Sequence, residues 1–140
     1  MKLDHLKNKK IICFDGVCAL CNNFILFVAK NDTKDCFRFI SLQNPKIKMY
    51  IKSDDIKISS SIILISNRDI KIKSDAVLFI LKELRFPIST LIILNFIPIK
   101  IRNILYSIVA KNRYHFFGKI DSCSILNRKK NKTILSNKII

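Results

Sequence analysis

The spacing of apolar residues changes along the chain, and these changes predict an order of strands and helices. The unbroken apolar run within Lys10–Phe14 is typical of a short buried strand. From Cys18 to Lys30 the apolar residues recur at helical spacing, which predicts a helix directly after that strand. Later segments predict strands at 36–42, 61–66 and 69–73 and helices at 45–51, 74–84, 90–96 and 98–112.

This order predicts an α/β protein. A strand–helix–strand unit followed by a hairpin, linked through residues 67–68, favours a central mixed sheet of about four strands flanked by helices. Ser74 is expected to cap the helix after the hairpin, and the last helices form a C-terminal helical extension. At 140 residues and 49% apolar content, we expect a single domain over 1–140. Its core is expected at about 10–123, with a loose basic leader at 1–9 and a loose basic tail at 127–140.

The chain carries a formal net charge of +16. Such a charge attracts acidic partners, nucleic acid or anionic membranes, but it also arises from a solvated basic surface. The lysines are spread along the whole chain instead of forming a stripe, which favours the solvated surface. We therefore expect no nucleic-acid partner, and we keep an acidic redox partner and peripheral membrane contact as alternatives.

The sequence shows no secretory signal and no transmembrane segment. The first apolar run is shorter than the ~7–15 residues of a secretory h-region, and Asp15 ends it. The most apolar segment, Phe86–Ile99, is too short for a transmembrane span of ~20 residues and contains Asn95 and Pro98. It suits a core helix or a surface-seeking segment. We expect a cytoplasmic protein whose cysteines are thiols rather than a disulfide framework.

Candidate chemistry lies at the start of the first predicted helix. Cys18 and Cys21 are two residues apart on its first turn, immediately after a strand. A sulfur at this helix end faces unpaired backbone N–H groups and the positive end of the helix dipole, and both favour the thiolate. The thiolate is the form that attacks disulfides. A CxxC pair after the first strand of this layout predicts a thioredoxin-like redox domain.

The residues around this pair also resemble a known family. Phe14 to Cys21 reads Phe-Asp-Gly-Val-Cys-Ala-Leu-Cys and resembles the Asp-Gly-x-Cys-x-Leu-Cys signature of the DCC family of thiol–disulfide oxidoreductases. Further resembling blocks follow in the family's order, at 39–43, at 74–77 and at Pro98, Arg102, Tyr106, Ala110, Asn112–Tyr114, Phe117–Gly118 and Cys123. The resemblance implies a thioredoxin-like enzyme that acts on a thiol- or disulfide-bearing protein or small molecule through its cysteine pair.

For this pair we infer the following roles. Cys18 attacks a substrate disulfide and forms a mixed disulfide, which Cys21 resolves by attacking Cys18. The two-residue spacing lets both sulfurs meet across one helical turn. Because Cys18 is nearer the helix end, we expect it to be the exposed cysteine. No cofactor is expected. The competing interpretation is a pair of buried structural cysteines.

Asp15 is a further candidate site residue. It would oppose a thiolate at Cys18 if its carboxylate pointed there. Three roles remain open: proton acceptor for Cys21, acceptor for backbone N–H groups of the Gly16 turn, or turn former without chemistry. The family resemblance favours a role in the site.

The remaining cysteines allow a metal alternative. Cys13, Cys18 and Cys21 match the first three ligands of plant-type iron–sulfur spacing, and Cys36 or Cys123 could be the fourth. A predicted strand at Cys13 argues against the irregular loop that such a cluster needs, and no metal is expected. Cys13 and Cys36 are interpreted as small core residues. Cys123 is either a third redox thiol or structural.

A second alternative is a basic binding module. Residues 113–119 interleave aromatic and cationic side chains, and the tail adds Arg128, Lys129 and Lys130. Such patches stack on bases or lie at a membrane surface. The interpretation we favour is that the aromatic residues pack the last helix onto the core while the cations stay solvated.

Overall fold

The computed structural model of the protein describes residues 8–49, 62–66, 69–84, 87–118 and 138–139. Cys123 and Arg128–Lys130, to which the sequence assigned alternative roles, lie outside the described residues, as does most of the leader. Their roles therefore stay predictions.

Four strands form one mixed sheet. The elements, in chain order, are β1 (Lys10–Phe14), α1 (Ala19–Asn31), β2 (Phe37–Ser41), a first 3₁₀ helix (Pro45–Met49), β3 (Ile63–Ser66), β4 (Asp69–Ile72), α2 (Lys73–Glu83), a second 3₁₀ helix (Ile88–Phe96) and α3 (Ile99–Phe117). The strand order is β2-β1-β3-β4. β1 pairs parallel to β2 and antiparallel to β3, and β3–β4 is the predicted antiparallel hairpin. The structure confirms the α/β, thioredoxin-like fold class.

Alternation along the strands divides the core between the two faces of the sheet. On one face, Ile12 and Phe14 of β1 pack with residues of α1 and α2 such as Ile25 and Ile80. On the other face, Ile11 and Cys13 join a smaller cluster that includes Ile47 from the first 3₁₀ helix. Successive side chains of a strand point to opposite faces, so Cys13 lies on the face away from α1. Its buried position agrees with the prediction of a small core residue.

The strand register brings two loops together at one edge of the sheet. Phe14, the last residue of β1, pairs with Ser41, the last residue of β2. The Leu42 amide continues this pairing by donating to the Phe14 carbonyl at 2.8 Å. Since the two strands are parallel, the residues that follow each of them emerge side by side. Asp15 and Gln43 are therefore neighbours although 28 positions separate them in the chain.

Ser74 does not cap α2. The helix begins one residue earlier, at Lys73, and its N-cap is Ile72, which makes no side-chain capping bond. The Ser74 hydroxyl is instead hydrogen-bonded to Oδ1 of Asn103 on α3, at 2.5 Å. The hairpin runs directly into the helix without a loop, so Ser74 lies inside the first turn of α2. Its hydroxyl bonds to α3 and does not cap the helix end.

Part of the C-terminal tail is held against the sheet, in contrast to the expected loose tail. Phe39 donates its amide to the Lys138 carbonyl at 2.8 Å, and Ile139 forms a parallel bridge with Phe39. The Lys138 ammonium lies 2.7 Å from Oδ2 of Asp32, a carboxylate with no exposed side-chain area. An edge strand leaves hydrogen-bonding groups open, and residues 138–139 pair with those of β2.

Within the described residues, no helix has the length and apolarity needed to cross a membrane.

Candidate active site

The CxxC cysteines lie where the turn after β1 meets α1, with Cys21 inside the first turn of the helix. Cys18 is the N-cap of α1, and its Sγ accepts a hydrogen bond from the Cys21 amide at 3.4 Å. The prediction that this sulfur faces a backbone N–H at the helix end is confirmed. Neither Cys18 nor Cys21 forms a disulfide. One sulfur therefore sits at the first turn of the helix in direct contact with the residue that carries the other.

Both sulfurs are covered, and the prediction that Cys18 is exposed is wrong. Cys18 is 0% exposed and Cys21 is 6% exposed. The end of α3 folds over this turn, because the Gly118 carbonyl accepts from the Ala19 amide at 3.4 Å and Arg113 packs onto Cys21. Position at a helix end makes a sulfur exposed only when no other element covers that end. Here the C-terminal helix covers it.

Asn22 ties the turn to the helix. Its side-chain amide donates to the carbonyls of Gly16 and Cys18, each at 2.8 Å, and the residue is fully buried. A buried polar side chain beside two cysteines is costly unless it is hydrogen-bonded. Its bonds hold the backbone on both sides of Cys18. Asn22 was not among the site residues predicted from the sequence, although a polar residue beside the CxxC in an apolar helix is a visible signal.

Burial raises the pKa of the Cys21 thiol to about 12, and its hydrogen bond with Cys18 adds to the increase. Arg113 acts in the opposite direction, since its Nη1 donates to Cys21 Sγ at 3.7 Å. Desolvation disfavours a charged sulfur more than one nearby guanidinium favours it. Cys21 is therefore a neutral thiol at neutral pH.

Asp15 lies at the centre of a hydrogen-bonded cluster. Its Oδ1 accepts from the Val17 amide at 3.1 Å and from the Gln43 side chain at 2.8 Å. Its Oδ2 accepts from Arg113 Nη2 at 3.0 Å and from the Tyr114 hydroxyl. Burial raises the pKa of Asp15, but the bonds from Tyr114, Gln43 and Val17 and the charge of Arg113 outweigh it and hold the pKa below its usual value. The carboxylate is thus ionised although it is buried.

Gln43 fixes the position of the turn. Its Oε1 accepts from the Gly16 amide at 2.9 Å and from the Ser41 hydroxyl at 2.5 Å, while its Nε2 donates to Asp15. One side chain after β2 therefore binds both the backbone and the carboxylate that follow β1. Gln43 belongs to a block that resembled the family, but its role depends on the strand pairing.

Arg113 and Tyr114 reach this site from the last helix, and the favoured interpretation of the 113–119 patch is wrong for Arg113, Phe116 and Phe117. Arg113 is buried and forms an ion pair with Asp15, while Phe116 and Phe117 are exposed. The Arg113 guanidinium lies 4.7 Å from the Tyr114 ring centroid and donates to the Tyr114 hydroxyl at 3.1 Å. The cation packs inward because a buried carboxylate faces it. The resembling block Asn112–Tyr114 was the available signal.

A cavity of about 150 Å³ opens beside Cys21. Cys18 is not among its lining residues, which are mostly apolar: Leu20, Cys21, Phe24, Ile62, Val77, Tyr106, Val109, Ala110 and Arg113. Burial raises the pKa of Tyr106, whose hydroxyl accepts from the Ile62 amide at 3.1 Å. An apolar cavity next to a thiol can hold an apolar group attached to a reacting sulfur.

The iron–sulfur ligand set is not assembled in the described part of the chain. Cys13 lies in the core on the sheet face away from α1, whereas Cys18 and Cys21 lie at the start of that helix. Burial raises the pKa of the Cys13 thiol to about 12, which disfavours the thiolate that a metal would need. Among the described residues, no three His, Cys, Asp or Glu side chains cluster as metal ligands do.

Comparison with known proteins identifies relatives of this chain. A family profile described as DCC1-like thiol-disulfide oxidoreductase matches residues 12–119. A DCC family protein of Arabidopsis thaliana, described as chloroplastic, is 42% identical over 123 residues, which are 84% of this chain and 70% of that protein. The uncharacterized protein YuxK of Bacillus subtilis (strain 168) is 31% identical over 118 residues, which are 83% of this chain and 86% of that protein. No solved structure matches the chain.

Proposed function

This chain belongs to the DCC1-like thiol-disulfide oxidoreductase family, and we propose that it catalyses thiol–disulfide exchange through Cys18 and Cys21. The observation that carries the proposal is the hydrogen bond of the Cys21 amide to Cys18 Sγ at a helix N-terminus, beside the buried Arg113–Asp15 pair. Two sulfurs on one helical turn close a disulfide with little backbone movement. A buried charge pair beside a thiol changes the free energy of its deprotonation, and so its pKa.

In the proposed reaction, the Cys18 thiolate attacks one sulfur of a substrate disulfide. The substrate S–S bond breaks, a Cys18–substrate disulfide forms, and the other substrate sulfur leaves as a thiolate that takes up a proton. Cys21 then loses its proton and attacks Cys18 Sγ, which releases the second substrate thiol. The substrate gains two electrons and two protons, and the protein ends with a Cys18–Cys21 disulfide. An external thiol reductant restores the pair.

Deprotonation of Cys21 is the step for which the cluster matters. A thiol with a pKa of about 12 attacks only if its thiolate is stabilised as it forms. The positive charge of Arg113 supplies this stabilisation, since its Nη1 is 3.7 Å from Cys21 Sγ. The proton-acceptor role suggested for Asp15 is less supported, because both of its oxygens already accept hydrogen bonds and its pKa is lowered. We propose that Asp15 is a positioning residue that holds Arg113 against Cys21.

The substrate is proposed to enter by the cavity beside Cys21. Its apolar lining favours a disulfide or thiol with an apolar neighbouring group. Since Cys18 is fully buried, attack by Cys18 requires the end of α3 to move from the first turn of α1. The Ala19–Gly118 hydrogen bond, at 3.4 Å, is the contact that would break.

The proposal extends to a redox partner and to a location in the cell. The charge of +16 supports an acidic redox partner, whose association would weaken as salt is added. We also propose a reducing location, the cytoplasm, in which the described cysteines stay thiols. Fractionation of cells that produce the protein would test this location.

A glutathione redox titration tests the function. The protein is equilibrated at a series of potentials, its thiols are alkylated, and each cysteine is quantified by mass spectrometry. We expect Cys18 and Cys21 to convert together to one intramolecular disulfide, while Cys36, outside the pair, serves as an internal control. If the two stay thiols until harsh oxidation, or convert at separate potentials, the proposed pair is wrong.

A further inference from the structure

Helix α3 turns polar side chains inward. Arg102 forms an ion pair with Asp75 of α2, and Asn103 is bonded to Ser74 of the same helix. Further along, Tyr106 and Arg113 reach the Ile62 amide and Asp15, as described above. These contacts account for the hydrogen-bonding side chains on one face of the helix and hold that face against the domain.

The opposite face of α3 is apolar and exposed. Its members recur at helical spacing and are each more than half exposed: Ile101, Ile104, Leu105, Ile108 and Val109. A surface helix normally places such residues against the core and its polar residues in water. In α3 the two faces are reversed. The reversal leaves a contiguous apolar strip on the outside of the protein, which is the signature of a surface that binds something apolar.

The second 3₁₀ helix adds exposed apolar side chains just before this strip. Ile93 is 64% exposed and Phe96 is 88% exposed. Arg102 Nη1 donates to Asn95 Oδ1 at 2.5 Å and so ties this segment to the first turns of α3. We call these residues, together with the strip on α3, the outer apolar surface.

The segment of the chain that carries the outer apolar surface contributes charged side chains of one sign. The sequence holds neither Asp nor Glu from Leu84 to Ile120. Lys100 and Lys111 on α3 are exposed and flank the strip along the helix. Because the whole chain has a net charge of +16, a second copy would bring like charges together at this surface. An anionic lipid layer offers the opposite charge and an apolar interior at once.

We propose that the outer apolar surface docks the protein onto an anionic membrane, with α3 lying in the plane of the interface. Apolar side chains enter the boundary between head groups and acyl chains, and the lysines contact lipid phosphates. This proposal does not depend on the redox chemistry. It has a consequence for that chemistry, because Val109 also lines the cavity beside Cys21 and docking would bring the cavity close to the bilayer.

Co-sedimentation with vesicles tests the proposal. We expect the protein to sediment with vesicles of phosphatidylcholine and phosphatidylglycerol and to stay in solution with phosphatidylcholine alone. Ile104→Gln combined with Ile108→Gln should lower the partition coefficient by about tenfold or more, because two apolar anchors are lost. Lys100→Gln combined with Lys111→Gln should lower it roughly 25-fold at low salt. Ile70→Gln, at an exposed apolar position on β4, is the matched control and should bind like the wild type.

Three results would overturn the proposal. One is a wild-type protein that stays in solution with both kinds of vesicle. Another is unchanged binding of the Ile104→Gln/Ile108→Gln variant with a wild-type circular dichroism spectrum. The third is a concentration-dependent dimer that this variant abolishes, which would assign the surface to a second copy. The glutathione titration of the same variant reports separately on the redox function, since all altered residues lie outside the cysteine pair and the Asp15 cluster.

Discussion

Arg113 and Asp15 form a buried ion pair across 98 positions of the chain, with Nη2 of the arginine 3.0 Å from Oδ2 of the aspartate. The other terminal nitrogen of the same guanidinium lies 3.7 Å from Cys21 Sγ. One side chain thus connects the carboxylate after β1 with the second cysteine of the pair.

Replacing Arg113 by Gln is expected to slow resolution of the mixed disulfide. Arg113 lowers the pKa of Cys21, so its loss raises that pKa further and leaves less thiolate to attack Cys18. It also leaves Asp15 buried without its ion-pair partner, which costs roughly 3–5 kcal/mol of folding free energy. Stopped-flow thiol release, measured against pH, reports the first effect, and urea unfolding reports the second.

Two controls separate charge from general damage in the Arg113 experiment. Arg113→Lys keeps the charge and should recover part of the rate. Lys111→Gln removes an exposed charge from the same helix and should change neither quantity. A folded Arg113→Gln protein with a wild-type rate at every pH would contradict the role of this residue.

Asp15→Asn is expected to make the free energy of unfolding depend less on pH in the acid range. The pKa of Asp15 is lower in the folded protein than in the unfolded chain, where it is about 3.9. Its ionised form therefore stabilises the fold above about pH 3.9, and this contribution is lost as the pH falls through the lower folded value. Urea unfolding from neutral to acid pH should give a steeper loss for the wild type than for Asp15→Asn.

A control for the Asp15 experiment is Asp69→Asn, which changes an exposed carboxylate on β4. This variant should keep the acid-dependent loss of stability seen in the wild type. If Asp15→Asn loses stability with the same pH dependence as the wild type, the carboxylate does not contribute in the way its contacts indicate.

Single cysteine variants are expected to reveal the order of attack. Cys21→Ser should accumulate a stable disulfide between Cys18 and the substrate, because the resolving thiol is absent, while Cys18→Ser should abolish turnover. Mass spectrometry of the trapped species identifies the attached cysteine. Cys36→Ser, a partly buried position outside the pair, should behave as the wild type. Trapping on Cys21 in Cys18→Ser would assign the first attack to the cysteine that lines the cavity.

Filling the cavity is expected to change substrate preference. Ala110→Phe places a large side chain in the lining beside Cys21, so kcat/KM for an aromatic disulfide should fall roughly tenfold or more. Turnover of hydroxyethyl disulfide, which is small and polar, should change much less. Lys111→Ala, at the next and exposed position, is the matched control. An equal loss for both disulfides would indicate damage to the cysteine pair rather than loss of a binding cavity.

Local patterns in the sequence determined most of the fold and the position of the cysteine pair. Alternation and helical spacing predicted β1, α1 and the β3–β4 hairpin, and they placed Cys18 and Cys21 on the first turn of a helix. These features depend on contacts between near neighbours in the chain, since backbone hydrogen bonds and side-chain periodicity act over a few residues. The family resemblance also rests on short motifs of residues that are close together in the chain.

Only the tertiary structure decided the composition of the site and the exposed face of α3, because both depend on where α3 packs. Docking of that helix buries Cys18, brings Arg113 to Asp15 and Cys21, and leaves Ile104 and Ile108 facing outward. Its sequence contains apolar and polar residues on opposite faces, and periodicity assigns the apolar face to the core. A buried carboxylate 98 positions earlier reverses that assignment, since an ionised group inside a protein requires a partner of opposite charge.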